Sequence, residues 1–382
     1  MKKLFLFLVC FSLLTAIVRA EEDLAPNSKS AILLEASTGE ILYQKNAHEK
    51  LPPASMTKIM SLLIIMEAIE TNKIKMDDMV VVSDNAAGMG GSQIFLQIGS
   101  KMKVFDLLKG VAVASANDAV VALAEKVAGS ESKFVELMND KAKELGLKNT
   151  NFKNSHGLDD TDHYSTAYDM AFIARELIKH DTILNFTKIY EEYLYKEDGT
   201  SIWLVNTNRL VRFYEGMDGL KTGFTSLSGY CLTATAKKEN LRLISVVMKV
   251  ETSDKRSSDT LKLLNYGFNG YKINLILKAS ADIGDIKIDN GKKETAKLAL
   301  LTDVSELQKI TDELKKYTFN VKTDKVKAPV KEGDIVGVLE IIQDKKVVRS
   351  VPLTVKEEVK KANLFGLMYR NFKYILSGKT LF

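Results

Sequence analysis

Three short motifs, far apart in the sequence, carry the parts of one kind of active site. They are Ser55-Met-Thr-Lys58, Ser115-Ala-Asn117 and Lys221-Thr-Gly223. Together they supply a serine nucleophile, a lysine that can act as its base, a proton relay and a cationic cradle for a carboxylate. Those are the parts needed to open an amide bond through a serine acyl-enzyme. A chain that uses all three must fold so that the motifs meet.

The N-terminus has the pattern of a secretory signal peptide. Lys2 and Lys3 precede an apolar run over residues 4–17, and Val18-Arg19-Ala20 supplies compact residues for a signal peptidase. The run is shorter than the ~20 apolar residues that span a bilayer. We therefore expect a signal peptide over residues 1–20 and an exported chain, with a retained N-terminal anchor as the alternative.

Charge and cysteine content argue against a nucleic-acid-binding protein and against a fold held by disulfides. The formal charge of +5 would fall to about +2 on loss of Lys2, Lys3 and Arg19, which gives no reason to expect a nucleic-acid partner. Cys10 would leave with the signal peptide, so Cys231 has no intrachain disulfide partner. We expect Cys231 to be buried in a strand as a small apolar residue.

Residues 25–270 have the pattern of an α+β domain. Two apolar runs around Ser37-Thr-Gly39 predict a β-hairpin, and a long helix is expected to begin at Ser55. A block of helices and then two strands are expected next. The pattern favours an antiparallel sheet flanked by helices. The predicted helices are 104–113, 119–127, 133–145, 166–178 and 261–268, and the late strands are 230–236 and 241–250.

Two further segments follow this domain. Short apolar runs separated by turn residues over 274–356 predict a small all-β sandwich. Residues 357–382 contain an amphipathic helical pattern, with aromatic and aliphatic side chains on one side and scattered cations on the other. This pattern favours a helix that lies in a membrane surface. An amphipathic helix docked on protein is the alternative.

The two motif lysines suit each other chemically. Lys58 lies one helical turn after Ser55 and can take its proton only if its pKa falls far below ~10.4. Burial and a second cation, such as Lys221, would both lower it. The remaining charge on Lys221, with Thr222, suits a substrate that ends in a free carboxylate.

Two further matches to the motifs are expected to be structural. Ser83-Asp-Asn85 and Ser130-Glu-Ser-Lys133 have the right spacings, but four-residue matches arise by chance in a lysine-rich chain. Ser83 begins a glycine-rich loop and Ser130 precedes a helical pattern. We expect both serines to act as caps or turn residues.

The chain resembles the low-molecular-weight penicillin-binding proteins, the D-alanyl-D-alanine carboxypeptidases of the serine β-lactamase-like superfamily. The resemblance covers nearly the whole mature chain. It rests on the following strings: Pro53-Ala-Ser-Met-Thr-Lys58, Ser115-Ala-Asn-Asp-Ala119, His156-Gly-Leu158, Ser165-Thr-Ala-Tyr-Asp-Met-Ala171, Asp218-Gly-Leu-Lys-Thr-Gly223, and Arg256 ahead of Leu263-Leu264.

The resemblance implies roles for named residues. Ser55 would attack the carbonyl between the two terminal D-alanines of a peptidoglycan stem peptide, Lys58 would take its proton, and Ser115 would help protonate the departing D-alanine. The remaining roles concern substrate binding and the oxyanion. Asn117 would orient the substrate backbone, the motif Lys221-Thr222-Gly223 with Arg256 would hold the carboxylate, and the N–H groups of Ser55 and Phe224 would form the oxyanion hole.

The same resemblance implies partners and surroundings. β-Lactams would acylate Ser55, the enzyme would need no metal or cofactor, and it would work at the outer face of the bacterial cytoplasmic membrane. The motifs leave open an endopeptidase that cuts cross-links. A secreted β-lactamase would need a Glu-x-x-Leu-Asn string, and Glu144-Leu-Gly-Leu-Lys-Asn149 has the wrong spacing. A wall-binding scaffold without turnover is the non-enzymatic alternative.

Overall fold

The structure is a computed structural model that describes residues 23–196 and 198–376. The predicted signal peptide, residues 1–20, lies outside the described residues, as do the last six residues of the predicted C-terminal segment.

The first part of the chain alternates strands with helices. Its strands are β1 (Ser30–Glu35), β2 (Ile41–Lys45), β3 (Met79–Val81), β4 (Lys101–Lys103), β5 (Glu191–Tyr195), β6 (Ser201–Val205), β7 (Met217–Thr225), β8 (Gly229–Lys238) and β9 (Leu241–Val250). A 3-10 turn over Ala54–Thr57 precedes the helices α1 (Lys58–Glu70), α2 (Asp84–Ala87), α3 (Val104–Ala114), α4 (Asn117–Ala128), α5 (Glu131–Glu144), α6 (Ala167–Leu177), α7 (Thr182–Thr187), α8 (Leu210–Phe213) and α9 (Ser253–Gly270).

An antiparallel sheet of order β2-β1-β9-β8-β7 organises this part. Alternate residues of β1 point to opposite faces of the sheet. Ile32 and Leu34 join the core formed with α1 and α6, whereas Leu33 joins a second core with Leu264 of α9. Because both faces are covered, the central strands are apolar on both sides. This arrangement confirms the predicted α+β class with helices flanking the sheet.

Several elements differ from the sequence-based expectation, and two of them, α9 and β7, carry predicted site residues. Helix α9 begins at Ser253, eight residues before the predicted start, because the Thr252 hydroxyl caps it by accepting from the Lys255 N–H at 3.2 Å. Strand β7 was not predicted. Its sequence, Met217-Asp-Gly-Leu-Lys-Thr-Gly-Phe-Thr225, contains two glycines and lacks an apolar run. It nevertheless forms one edge of the sheet.

The second part of the chain is all-β, as predicted, and ends in a helix. Two-stranded and six-stranded sheets surround a separate apolar core, and the six-stranded sheet has the order β14-β16-β17-β12-β11-β15. The predicted start at residue 274 falls inside the first strand. The elements are β10 (Tyr271–Leu277), β11 (Asp285–Asp289), β12 (Thr295–Leu300), β13 (Val304–Lys309), β14 (Thr318–Thr323), β15 (Val326–Lys327), β16 (Gly337–Gln343), β17 (Lys346–Val355) and α10 (Leu364–Leu376).

Helix α10 leaves its apolar side chains exposed. Leu364, Phe365, Met368 and Phe372 are all more than half exposed. Arg370 ties the helix to the β region by donating from Nη1 to the carbonyl of Gly291 at 2.9 Å. Among the described helices, none has the length and apolar character to cross a bilayer.

Candidate active site

Ser55 lies in the 3-10 turn that leads into α1. The turn begins at Ala54, whose φ of +48° is in the left-handed region that non-glycine residues seldom adopt. Lys58 is the first residue of α1, and its Nζ donates to Ser55 Oγ at 2.9 Å. The expected helix start at Ser55 is therefore a tighter turn, which still places the two side chains in contact.

Lys58 is fully buried and makes two further hydrogen bonds. Its Nζ donates to Asn117 Oδ1 at 2.6 Å and to the carbonyl of His156 at 2.7 Å. A neutral amine has two N–H bonds and one lone pair. If the two stronger acceptors hold the N–H bonds, the lone pair faces Ser55 Oγ. This geometry prepares Lys58 to accept the serine proton.

The second motif forms the tight link between α3 and α4. Ser115 ends α3 with a φ of +63°, and Asn117 is the first residue of α4. Such a strained backbone is typical of positions where function fixes the conformation. Ala116, between them, has a φ of −59°, so an alanine fits here without strain.

Asn117 and Asp118 hold a neighbouring loop in place. Asn117 Nδ2 donates to the carbonyl of Gly90 at 2.7 Å. The fully buried Asp118 carboxylate accepts from the N–H groups of Ile94 and Leu96 at 3.1 and 3.0 Å. This role of Asp118 was not predicted from the sequence. An acidic residue in the first turn of a helix was the available signal.

The third motif lies on edge strand β7. A Cβ atom added at Gly223 would lie 2.7 Å from the carbonyl oxygen of Pro53 and 3.1 Å from the Cβ of Ala54. The strand can therefore approach the nucleophile turn only because residue 223 lacks a side chain. Asp218 fixes the start of the same strand through two 2.8 Å bonds from Arg242.

Thr222 makes a contact that the sequence did not predict. Its hydroxyl donates to the hydroxyl of Thr207 at 2.7 Å, and Lys221 Nζ donates to the carbonyl of Thr222 at 3.0 Å. Phe224, at the far end of the motif, is exposed and stacks on Tyr230 with a centroid distance of 4.3 Å. A lone threonine such as Thr207 carries no sequence signal.

Burial and a neighbouring cation lower the pKa of each motif lysine. Burial and the charge of Lys221 hold the pKa of Lys58 well below its usual value, with Asp118 opposing the effect. Burial and the charge of Arg256 lower the pKa of Lys221 to about 7. Arg256 extends from α9, and its Nε is buried without a hydrogen-bond partner among the described residues. The predicted lysine pair is therefore joined by a third buried basic residue, Arg256.

Two histidines near the site are neutral structural residues. Burial lowers the pKa of His156 and of His163 to about 4. His156 contributes its carbonyl to Lys58, and His163 Nε2 lies 2.8 Å from the Thr57 hydroxyl. Gly157, with a φ of +90°, leaves no room for a Cβ atom beside the Ala54 carbonyl. The string His156-Gly-Leu158 thus positions the turn and the lysine through its backbone.

The remaining sequence expectations concern residues outside the site. Ser83 and Ser130 cap α2 and α5 by accepting from the N–H groups of Ala86 and Lys133, as predicted. Cys231 is completely buried in β8, also as predicted, and burial raises the pKa of its thiol to about 11. Such a thiol is a poor nucleophile at neutral pH.

The geometry can therefore support one kind of chemistry. It combines Ser55 in contact with a buried lysine whose pKa is lowered, the second motif on the link between two helices, and an edge strand that carries a further lysine. Such an arrangement fits a serine hydrolase in which lysine takes the place of histidine.

Comparisons with known proteins agree with this class. The family model described as D-alanyl-D-alanine carboxypeptidase matches residues 17–252, and that of the penicillin-binding protein 5 C-terminal domain matches 271–361. D-alanyl-D-alanine carboxypeptidase DacF of Bacillus subtilis is 46% identical over 91% of this chain and 90% of its own length. DacC of Escherichia coli is 37% identical over 90% and 87%.

A solved structure shares the same architecture. Penicillin-binding protein 5 from Haemophilus influenzae superposes with a TM-score of 0.71 at 33% identity, covering 88% of this chain and 98% of that one. The chain belongs to the D-alanyl-D-alanine carboxypeptidase family of serine peptidases. Membership of this family is consistent with export from the cytoplasm.

The buried charge of Lys221 predicts a pH-dependent stability. The unfolded chain keeps a proton on Lys221 up to about pH 10.5, whereas the folded chain loses it near 7. Folding stability should therefore rise with pH across this window, by at most about 5 kcal/mol. Lys221→Met should flatten the rise in denaturant-unfolding free energies, and exposed Lys262→Met should not. Equal slopes for Lys221→Met and wild type would contradict the assignment.

The close approach at Gly223 predicts a loss of reactivity on adding one methyl group. Gly223→Ala should push β7 away from the turn and slow acylation of Ser55 by roughly 10- to 100-fold, because sub-ångström misplacement is costly in catalysis. The rate is measured with a fluorescent penicillin. Gly270→Ala, where an added Cβ meets nothing within 4 Å, is the control. An unchanged acylation rate in Gly223→Ala would show that the strand does not position the turn.

Proposed function

We propose that Ser55, Lys58 and Ser115 together remove the terminal D-alanine from peptidoglycan stem peptides. The observation that carries this proposal is the buried Lys58 amine, whose Nζ lies 2.9 Å from Ser55 Oγ and is also held by Asn117 Oδ1 and the His156 carbonyl. That arrangement gives the serine a base at neutral pH.

Acylation follows from this arrangement. Ser55 Oγ bonds to the carbonyl carbon between the two D-alanines as its proton passes to Lys58 Nζ. The N–H groups of Ser55 and Phe224 stabilise the oxyanion. Its collapse breaks the C–N bond, the nitrogen takes a proton relayed through Ser115, and D-alanine leaves. Water then hydrolyses the ester and restores Ser55.

Substrate binding uses the edge strand and its neighbours. Lys221 and Thr222 hold the terminal carboxylate, with the Arg256 charge behind them. Asn117 orients the substrate backbone, and Gly223 keeps the strand close to the turn. The carboxylate also raises the pKa of Lys221 once bound, since an anion favours its charged form. The site thus selects a peptide whose terminal carboxylate can reach Lys221.

β-Lactams enter the same chemistry. Binding of β-lactams is typical of the family, and their strained amide presents a carbonyl to Ser55 beside a carboxylate. The acyl-enzyme forms as with substrate, but the opened ring stays attached by its own bonds and leaves slowly. The open alternative is a D,D-endopeptidase, which attacks the same type of carbonyl within a cross-link.

A β-lactamase is the weaker alternative. Glu144, which begins the closest match to the deacylating string, ends α5 and pairs with Lys141 at 2.8 Å. It is therefore occupied in a surface ion pair.

We further propose that the chain works at the outer face of the cytoplasmic membrane. The division proposed for it is a signal peptide over 1–20, a catalytic domain over 25–270, a β region over 274–356 and a membrane-surface segment over 357–382. The exposed apolar side chains of α10 support the last of these. An interfacial helix buries such a face among lipid headgroups and acyl chains.

The catalytic proposal is tested with benzylpenicillin and a stem pentapeptide. We expect intact-protein mass spectrometry to show a stable penicilloyl adduct on Ser55, and the enzyme to release D-alanine. Ser55→Ala should lose both, whereas Ser83→Ala, which removes only a helix cap, should keep both. Fast penicillin hydrolysis without an adduct would instead indicate a β-lactamase. Release from a cross-linked dimer alone would indicate an endopeptidase, and neither activity in a folded protein would favour a scaffold.

The membrane proposal is tested by flotation with liposomes. The full chain should float, and a chain truncated before Leu364 should stay at the bottom of the gradient. Phe365→Asp should weaken flotation because it places a charge on the apolar face of α10, whereas Phe319→Asp, on exposed strand β14, should not. Equal flotation of the full and truncated chains would overturn the proposal.

A further inference from the structure

The hairpin formed by β5 and β6 carries an aromatic face outside the catalytic machinery. Tyr193 pairs directly with Trp203 across the hairpin, and Tyr195 follows on the same face two residues later. These side chains are 54%, 58% and 73% exposed, whereas Leu194 and Leu204 on the opposite face are 1% exposed. The hairpin thus packs one face inward and presents three aromatic rings to its surroundings.

The hairpin is firmly attached beside the active site. Glu192 accepts from Lys109 of α3 at 2.7 Å, and the Thr207 N–H donates to the carbonyl of Val113 at 3.3 Å. Thr207 lies four residues after Trp203, a span of at most about 14 Å, and its hydroxyl accepts from Thr222. The aromatic face is therefore held at a fixed place near the carboxylate end of the cleft.

The tip of the hairpin also meets the loop that Asp118 fixes. Lys196 Nζ donates to the carbonyl of Phe95 at 2.6 Å, and Phe95 is itself 65% exposed. Since Asp118 holds the amides on both sides of Phe95, this ring is presented on a rigid loop. Exposed aromatic residues on rigid supports are typical of a binding surface.

The size and charge of the face restrict what can bind it. Its three rings expose on the order of 300–450 Å², well below the ~800 Å² per partner of a stable protein interface. Asp198 adds a carboxylate at the end of the hairpin, and Glu191 lies on the aromatic face. Negative charge disfavours contact with an anionic lipid surface. An uncharged ligand with flat apolar faces and many hydroxyl groups fits better.

We propose that the Tyr193–Tyr195–Trp203 face binds the glycan chains of peptidoglycan. The C–H groups on one face of a pyranose ring stack on the electron-rich face of an aromatic ring. The tyrosine hydroxyls, the indole N–H and Ser201 can bond the sugar hydroxyls and acetamido groups. This inference rests on the proposed function, which makes peptidoglycan the polymer at the active site.

The position of the face determines which chain it binds. Thr207 contacts Thr222, so the hairpin lies on the side where the proposed function places the departing D-alanine. On this proposal, a glycan bound there would belong to a neighbouring strand of the wall, rather than to the strand that carries the cleaved stem. A free stem peptide carries no glycan, so its cleavage does not depend on the aromatic face.

The test measures binding of the full chain to insoluble peptidoglycan in a Ser55→Ala background, which prevents cleavage. We expect Trp203→Ala and Tyr195→Ala each to weaken sedimentation with the polymer by roughly three- to tenfold. Trp203→Phe should keep most of the affinity, and Phe319→Ala, an exposed ring on another sheet, all of it. Glycan chains stripped of their peptides should compete.

Activity separates this inference from the catalytic proposal. With Ser55 intact, Trp203→Ala should release D-alanine from free stem pentapeptide at the wild-type rate, while KM on polymeric peptidoglycan rises. If the wild-type enzyme did not release D-alanine from the pentapeptide, only the catalytic proposal would be contradicted, because glycan binding is measured without turnover.

Four outcomes would overturn glycan binding. The first two are equal sedimentation of Trp203→Ala and wild type, and a lack of competition by stripped glycan. The third is a slower release of D-alanine from the free pentapeptide by Trp203→Ala. The fourth is that Trp203→Ala changes liposome flotation or self-association and leaves glycan binding unchanged.

Discussion

The lysine at the centre of this protein has no carboxylate in hydrogen-bond contact among the residues that the structure describes. Lys58 is fully buried, and its three hydrogen-bond acceptors are a hydroxyl, an amide and a backbone carbonyl. A buried ammonium group with neutral partners is costly, so the surroundings favour the neutral amine. The nearby positive charge of Lys221 acts in the same direction. Much of the surrounding structure can be understood as what holds this group in place.

Three separate parts of the fold meet at that lysine. The link between α3 and α4 supplies Asn117, the loop after α5 supplies the His156 carbonyl, and β7 brings Lys221. Each is fixed by a contact other than those of the Ser55–Lys58 pair: Asp118 with its loop, Gly157 against Ala54, and Asp218 with Arg242. Ser55 itself is positioned by the short 3-10 turn that begins at Ala54, where φ is positive.

The sequence predicted which side chains come together better than it predicted the path of the backbone. Ser55, Lys58, Asn117 and Lys221 could be named because the reaction demands those side chains at fixed spacings, and the antiparallel sheet followed from apolar runs. Strand β7 was not predicted because its glycines and charged residues interrupt the apolar pattern of a strand. The contacts of the His156 carbonyl and the Thr207 hydroxyl were not predicted because a backbone atom and a single threonine have no recognisable sequence pattern. Helix α9 begins earlier than predicted because the Thr252 cap stabilises a first turn that is polar and lacks an apolar helical pattern.

Strand β7 forms an open edge of its sheet, and such edges ordinarily invite pairing with any extended chain. In the proposed function, a substrate peptide adds to this edge and is recognised through main-chain hydrogen bonds, which do not depend on the identity of its side chains. Lys221 and Arg256 would then select a chain that ends beside them, because only such a chain brings a carboxylate to that place. An exposed strand edge, ordinarily a risk for aggregation, would in this way become the part of the enzyme that measures where a polymer stops.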